Sequence, residues 1–352
     1  MNIIEQTLPY KLISWNWLPN SEVFHLPSIA SSPIKEFPMD TSNAFLKEKF
    51  YPASLHYLTP VSVAFVYFIC VHLVNKIVVR RQLRQYQSSN PGKAVPKRLP
   101  SAPYAIAKHR YFKLFVLLHN MALCAYSVWT FLGMTTTIYY YSHELIPDLI
   151  GRYYSLSSKL SPVDLFWQSV CDVDHGIWYN QGDSIKGLAF YSYVFYLSKY
   201  YEILDTVIIL LKGRPASLLQ SYHHSGAILS MWAGTRFASP PIWIFVVFNS
   251  FIHSIMYFYY TLACVGVRLG GLFKQTLTSL QICQFVLGGS LAVVHLFVRY
   301  LDVLSGTYRS CISTSEEALA LFINVFYLTP LTMLFAAFYI DSYKKKDKLK
   351  KP

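Results

Sequence analysis

Long apolar runs are the feature that most limits what this chain can fold into. A helix that crosses a bilayer needs roughly 20 consecutive, mostly apolar residues. About seven segments meet this need: 57–79, 112–134, 187–211, 218–234, 241–264, 276–298 and 318–340. Only 14% of the residues are charged, against about 25% in soluble domains. The sequence therefore predicts an all-α, polytopic membrane protein with about seven transmembrane helices that form a bundle.

The basic residues between these runs predict the orientation in the membrane. Residues 80–110 contain eight Lys and Arg side chains and no acid. Because cytosolic loops are enriched in Lys and Arg, this loop is expected in the cytosol. The basic C-terminal tail is expected in the cytosol too. With seven spans, the N-terminus then lies in the lumen. We predict a lumenal lead segment (1–56), a seven-helix membrane domain (57–340) and a basic cytosolic tail (341–352).

The net charge and the cysteines exclude some classes of protein. The formal net charge is +13, but the basic residues cluster between apolar runs, so they indicate topology rather than nucleic-acid binding. Six cysteines are scattered without a CxxC pair, and most lie in predicted spans. This pattern predicts neither a disulfide framework nor a zinc site.

The third apolar run contains ionisable groups. Lys199, Glu202 and Thr206 recur at i, i+3 and i+7, so they share one face of a helix, and Asp205 lies beside that face. Charged groups in hydrocarbon are costly unless they are paired or hydrated, and they often mark function. A structural ion-pair network between helices is the alternative interpretation.

Three further polar groups lie in later runs. The first is Gln220-Ser221-Tyr222-His223-His224, in which Gln220 shares a face with both His223 (i+3) and His224 (i+4). The second is the stripe Asn249, His253, Met256, Tyr257 and Tyr260, and the third is Thr278, Gln281 and Gln284. Each group has an ordinary alternative, such as a pair of interfacial histidines or an aromatic packing stripe.

The depth of these groups in the membrane argues against chance. At about 1.5 Å of rise per residue, four predicted helices place polar side chains within the cytosolic half of the bilayer. Polar groups that converge in an apolar enclosure are typical of a binding or catalytic site. We therefore expect one chamber that opens toward the cytosol.

Together the motifs resemble those of the ELO family of very-long-chain fatty-acid elongases, the membrane 3-ketoacyl-CoA synthases. The family pattern KxxExxDT is present as KYYEILDT (199–206), NxxxHxxMYxYY as NSFIHSIMYFYY (249–260), and TxxQxxQ as TSLQICQ (278–284). The histidine box departs from the usual HxxHH, because Gln220 stands at the first position. In this the chain resembles fungal-type members with a QxxHH box. The departure weakens any mechanism that needs three histidines there.

The resemblance implies a decarboxylative condensation of malonyl-CoA with a long-chain acyl-CoA to 3-ketoacyl-CoA, CoA and CO2. His223 would either accept the acyl group or act as a base, and His224 and His253 would activate it or polarise a thioester carbonyl. Gln220, Asn249 and Gln284 would donate hydrogen bonds to developing oxyanions. Lys199, Glu202 and Asp205 would position the histidines. The membrane domain (57–340) would be the catalytic domain, with its helices around a narrow acyl cavity. Substrate binding would involve Asn249, Met256, Tyr257, Tyr260, Thr278, Gln281 and Gln284.

The same resemblance implies no metal and no cofactor besides the CoA thioesters. Expected partners are acyl-CoA, malonyl-CoA, membrane lipid and the other elongation-cycle enzymes; a homodimer is left open, and nucleic acid is not expected. The expected location is the endoplasmic-reticulum membrane, and Lys348 and Lys350 resemble a cytosolic di-lysine retrieval signal. A seven-span transporter, a receptor or an acyltransferase of the ceramide-synthase kind are the alternative functions.

Overall fold

The computed structural model describes residues 6–7, 11–27, 33–155, 160–180 and 185–344. Most of the basic tail lies outside the described residues, and so does the proposed signal at Lys348 and Lys350. Those two expectations remain predictions.

The described chain is dominated by helices. The α-helices are α1 (Tyr51–Leu55), α2 (Leu58–Ser89), α3 (Ala105–Lys108), α4 (Arg110–Tyr140), α5 (Ile146–Tyr153), α6 (Pro162–Cys171), α7 (Leu188–Tyr201), α8 (Ile203–Leu211), α9 (Leu218–Arg236), α10 (Ile242–Cys264), α11 (Gly271–Val294) and α12 (Ser315–Tyr339). The strands are β1 (Gln6–Thr7), β2 (Ile13–Trp15), β3 (Tyr154–Ser155), β4 (Val298–Asp302) and β5 (Thr307–Ser310). This composition confirms the predicted all-α class.

Helices occupy all seven predicted membrane segments. Five are long and apolar enough to cross a membrane: Leu58–Ser89, Arg110–Tyr153, Ile242–Cys264, Gly271–Phe297 and Ser315–Lys344. The other two segments form α7 with α8, and the more polar α9. The chain is therefore a multi-pass membrane protein.

Six of these segments form a closed ring. Following the packing contacts, α4 packs on α7, α7 on α9, α9 on α12, α12 on α11, α11 on α10, and α10 back on α4. Helix α2 lies outside the ring against α8 and α9. The ring encloses the polar groups of the four motifs, which explains how a largely apolar chain keeps them out of lipid.

Two loops meet at the end of the ring where α8 ends and α9 begins, which we call the basic end. Gly213 has a φ of 67°, and a Cβ there would lie 2.1 Å from the carbonyl oxygen of Ala102, so only glycine fits. The carbonyl of Gly213 accepts hydrogen bonds from the backbone of Ala102 and from the side chain of Gln82. These bonds fix the Lys212–Arg214 turn beside the mouth of the ring.

The opposite end of the ring, which we call the capped end, carries a small sheet. Strand β4 pairs antiparallel with β2 and with β5, so that Ile13 lies opposite Tyr300 and Arg299 opposite Ser310. Strands β1 and β3 pair in parallel. These strands were not predicted from the sequence, which shows no long alternating pattern at these positions.

A disulfide joins Cys171, at the end of α6, to Cys311, just after β5. The prediction of no disulfide was wrong for this pair. The two cysteines are 140 residues apart, and they meet because β4 lies beside α6, where Gln168 donates a hydrogen bond to the carbonyl of Leu301. Scattered cysteines without a spacing pattern give no sign of such a pairing.

Candidate active site

The ion pair of Lys199 and Glu202 lies at the break between α7 and α8. The Nζ of Lys199 donates to Oε1 of Glu202 at 2.7 Å and to Oδ1 of Asn249 at 3.0 Å. Both charged residues are buried, and a buried pair is stable only when the opposite charges are in contact and hydrogen-bonded. The pair therefore links α7 to α10 through Asn249.

Asp205 holds a second, partly buried network. Its Oδ1 lies 2.8 Å from Nε2 of His119 on α4, and its Oδ2 accepts from the hydroxyl of Tyr257 at 2.7 Å. The other ring nitrogen of His119 lies 3.2 Å from the hydroxyl of Tyr201. His119 is a residue that sequence reasoning missed, because a single histidine in an apolar run gives no signal without its partner.

His223 is held by Tyr327, which sequence reasoning also missed. The Tyr327 hydroxyl lies 2.7 Å from Nδ1 of His223 and 2.9 Å from the carbonyl oxygen of the same residue. The hydroxyl has one hydrogen, which it donates to the carbonyl, so Nδ1 must carry the imidazole hydrogen and donate it to the phenol oxygen. Assigned in this way from its partners, neutral His223 keeps the lone pair on Nε2.

Gln220 contacts the second histidine of the box and not the first. Its side-chain amide nitrogen lies 2.8 Å from Nε2 of His224 and 3.4 Å from the hydroxyl of Thr206. Thr206 in turn lies 2.7 Å from the hydroxyl of Tyr67 on α2. Of the two pairings that helical spacing allowed, the structure forms the i+4 pair.

His253 lies between the Lys199–Glu202 ion pair and the network of Asp205. Its Nδ1 is 3.9 Å from Oε2 of Glu202, an oxygen with no hydrogen-bond partner among the described residues. The His253 ring lies 6.3 Å from the ring of His223 and 5.5 Å from that of Tyr257, measured between centroids. The two histidines of the second and third motifs thus face one space.

That space is a cavity of about 850 Å³ that extends to the basic end. Twelve of the fourteen predicted site residues line it: Asp205, Gln220, His223, His224, Asn249, His253, Met256, Tyr257, Tyr260, Thr278, Gln281 and Gln284. Its lining also includes four exposed basic residues: Lys113, Lys212, Arg214 and Lys274. We call it the wide cavity.

A much narrower cavity of about 50 Å³, the narrow cavity, runs between α9, α10, α11 and α12. Its lining is largely apolar and includes Lys199. Four residues line both cavities: His223, Asn249, Gln284 and Phe285. His223 therefore lies at the junction of a wide space with a basic mouth and a narrow apolar space.

The residues of the TxxQxxQ motif serve different contacts. Gln281 donates to the sulfur of Met256 at 3.8 Å, whereas Thr278 donates to the backbone of its own helix. Gln284 has an oxygen without a partner among the described residues. Only Glu202, of the fourteen residues, lines neither cavity, and it contacts the site through Lys199 and His253.

Comparison with known proteins identifies the family of the chain. The chain matches the GNS1/SUR4 (ELO) family over residues 52–351. It is 30% identical to fatty acid elongase A of Dictyostelium discoideum over 240 residues, 67% of this chain and 74% of that protein. It is 35% identical to fatty acid elongase sre1 of the same organism over 47% of this chain and 58% of that protein.

Very long chain fatty acid elongase 3 of Homo sapiens is 34% identical over 154 residues, 44% of this chain and 53% of that protein. No solved structure matches the chain. A ring of membrane helices around a cavity lined by histidines and other polar side chains defines a polytopic membrane protein with an internal site. The chain belongs to the GNS1/SUR4 (ELO) family. This membership favours an elongase role over the transporter and receptor alternatives.

Proposed function

We propose that this protein is the condensing enzyme of fatty-acid elongation, a 3-oxoacyl-CoA synthase that joins a long-chain acyl-CoA to malonyl-CoA. The observation that carries the proposal is the position of His223 at the junction of the two cavities. An acyl-CoA has a large, anionic head and a thin, apolar tail joined at a thioester. The wide cavity suits the head. The narrow cavity has the apolar lining that suits the tail, although at about 50 Å³ its helices would have to separate to admit a long chain. The thioester then lies beside His223.

The mouth of the wide cavity supports the assignment of the head. Four basic side chains line it with Asp205 as the single acid, and Lys and Arg are the usual partners of phosphate groups. Asp205 is already hydrogen-bonded to His119 and Tyr257. The CoA phosphates would therefore meet a net positive surface.

In the first step, Nε2 of His223 attacks the thioester carbon of the acyl-CoA. A bond forms between Nε2 and the acyl carbon, the carbon–sulfur bond breaks, and CoA leaves with a proton drawn from solvent in the wide cavity. The hydrogen bond from Nδ1 to Tyr327 keeps the reactive lone pair on Nε2. Gln284 and Asn249 lie at the same junction, where an amide group can donate to the developing oxyanion.

In the second step, malonyl-CoA replaces CoA and loses CO2. The electron pair released from the broken carbon–carbon bond attacks the acyl carbon, a new carbon–carbon bond forms, and Nε2 recovers its pair. His253, whose Nδ1 lies 3.9 Å from Oε2 of Glu202, would hydrogen-bond the malonyl thioester oxygen. This chemistry uses no metal or other cofactor.

We also propose the orientation and the location. Disulfides form in oxidising compartments such as the lumen of the endoplasmic reticulum, so the Cys171–Cys311 bond supports a lumenal position for the capped end. The basic end then faces the cytosol, as the positive-inside rule requires. Residence in the endoplasmic reticulum would bring the chain beside the other elongation-cycle enzymes. Changing Lys348 and Lys350 to Ser tests whether the tail retains it; unchanged localisation would remove the retrieval signal from the account.

Purified protein in detergent, given malonyl-CoA labelled at C2 and a long-chain acyl-CoA, tests the activity. The expected product is a labelled 3-ketoacyl-CoA two carbons longer than the acyl donor. His223→Ala should abolish its formation while the protein stays folded and monodisperse. Product formation by His223→Ala at the wild-type rate would exclude the proposed role of this residue, and no product from the wild type would contradict the function itself.

A further inference from the structure

Two polar side chains lie deep in the otherwise apolar part of the narrow cavity. Ser230 on α9 and Asn324 on α12 both line it and are 2% and 3% exposed. Around them are Ala227, Met231, Ile244 and Leu328. We call them the polar pair.

Each member of the polar pair has an atom without a hydrogen-bond partner among the described residues: Oγ of Ser230 and Oδ1 of Asn324. The orientation of the Asn324 amide is fixed, because its nitrogen donates to the carbonyls of Ala320 at 2.8 Å and Ser230 at 3.3 Å. Its oxygen is therefore the acceptor left over. Buried polar atoms are nearly always paired, so these two atoms point to a group that the ligand supplies.

The polar pair lies at a defined distance from the reacting atoms. Ser230 follows His223 by seven residues on α9, which is about 10 Å along the helix axis. Asn324 precedes Tyr327, the partner of His223, by about one turn of the antiparallel α12. An extended acyl chain advances about 1.25 Å per carbon, so a chain attached at His223 reaches the polar pair after roughly eight carbons.

Resting on the proposed function, we propose that Ser230 and Asn324 recognise a hydroxyl group carried near the ninth carbon of the acyl chain. The hydroxyl would donate to Oδ1 of Asn324 and accept from Oγ of Ser230, so that all three groups are paired. A saturated chain would leave both side chains without partners. The site would then favour a mid-chain hydroxy-acyl-CoA over the unsubstituted chain of equal length.

The test compares kcat/KM for 9-hydroxyoctadecanoyl-CoA, 18-hydroxyoctadecanoyl-CoA and octadecanoyl-CoA on the same purified protein. The wild type should prefer the 9-hydroxy substrate over octadecanoyl-CoA by about threefold to tenfold, the range of a net neutral hydrogen bond. The 18-hydroxy substrate should show no such preference, because its hydroxyl lies beyond the polar pair.

Two variants test the roles of Ser230 and Asn324 directly. Ser230→Ala and Asn324→Leu should each bring the ratio of the 9-hydroxy to the unsubstituted substrate close to one. Ser225→Ala is the matched control, since Ser225 lies on the same helix, lines neither cavity and donates to the carbonyl oxygen of Ser221. This variant should keep the wild-type ratio. Circular dichroism and gel filtration establish that each variant is folded.

A ratio near one in the wild type, or a preference that both variants retain, would overturn the inference. Those outcomes leave the proposed function standing, because octadecanoyl-CoA is still elongated. Failure of the wild type to elongate any of the three substrates would overturn the proposed function, and the inference with it.

Discussion

The hydroxyl of Tyr327 lies 2.7 Å from Nδ1 of His223 and 2.9 Å from the carbonyl oxygen of the same residue. One phenol therefore fixes both the tautomer and the orientation of the imidazole. Tyr327 also lines the narrow cavity, so the histidine is held from the side on which the acyl chain would lie.

Tyr327→Phe tests this relationship. Loss of the hydroxyl leaves Nδ1 without a partner and frees the tautomer, so we expect kcat to fall about tenfold to a hundredfold, the scale of a misplaced reacting group. Tyr222→Phe is the matched control, because Tyr222 stacks on Tyr327, contacts its backbone and lines neither cavity. Equal rates for the two variants would show that the hydroxyl does not position His223.

Gln220 stands where the family usually has histidine, and it contacts Nε2 of His224. Gln220→His should be tolerated better than Gln220→Ala, since histidine can also hydrogen-bond to His224, whereas alanine leaves a buried imidazole nitrogen without a partner. Steady-state rates of the two variants provide the comparison. If they are equal, the hydrogen bond has no part in activity.

Variants of the Lys199–Glu202 pair distinguish a role in stability from a role in activity. Lys199→Met leaves a buried carboxylate without its partner, so we expect the free energy of unfolding to fall by about 3–5 kcal/mol. The double variant Lys199→Met with Glu202→Gln removes both charges and should recover much of the melting temperature in detergent. It should stay inactive, because His253 loses its charged neighbour. A double variant with wild-type turnover would reduce the pair to a structural role.

The orientation is testable with two serine-to-cysteine variants. Ser88 is exposed near the end of α2, on the side of the basic end, and Ser305 is exposed in the turn between β4 and β5 at the capped end. In sealed microsomes a membrane-impermeant maleimide should label Ser88→Cys at once and Ser305→Cys only after permeabilisation. The wild type gives the background from its free cysteines. The reverse pattern would invert the proposed topology.

The sequence predicted the positions of the membrane helices better than their ends. Segment 57–79 was found by its apolar residues, but α2 continues to Ser89, since charged side chains are good helix formers once they reach water. The break at Glu202 was not predicted. Its carboxylate contacts Ser198 and Lys199 of the preceding turn, and the contact of Lys199 with Asn249 on α10 forms only in the folded chain.

The motifs predicted most of the polar residues that line the wide cavity. Helical spacing brought twelve residues to one cavity because one turn repeats one face. His119 and Tyr327 were missed since each is a lone polar residue in an apolar helix, recognisable only by the partner it meets in the fold. The small sheet and the disulfide were missed because the segments they join are far apart in the chain: β2 pairs with β4, and the two cysteines are 140 residues apart.

The central claim is that His223 carries the acyl group, and acyl transfer in the absence of malonyl-CoA tests it most directly. Purified protein mixed with a long-chain acyl-CoA alone should release CoA in a burst that approaches one equivalent, and intact mass spectrometry should find one acyl group per chain, mapped by peptide fragmentation to His223. Adding malonyl-CoA should discharge the adduct as 3-ketoacyl-CoA. Full turnover of the two substrates with neither a burst of CoA nor an adduct, or an adduct that persists in His223→Ala, would contradict the account.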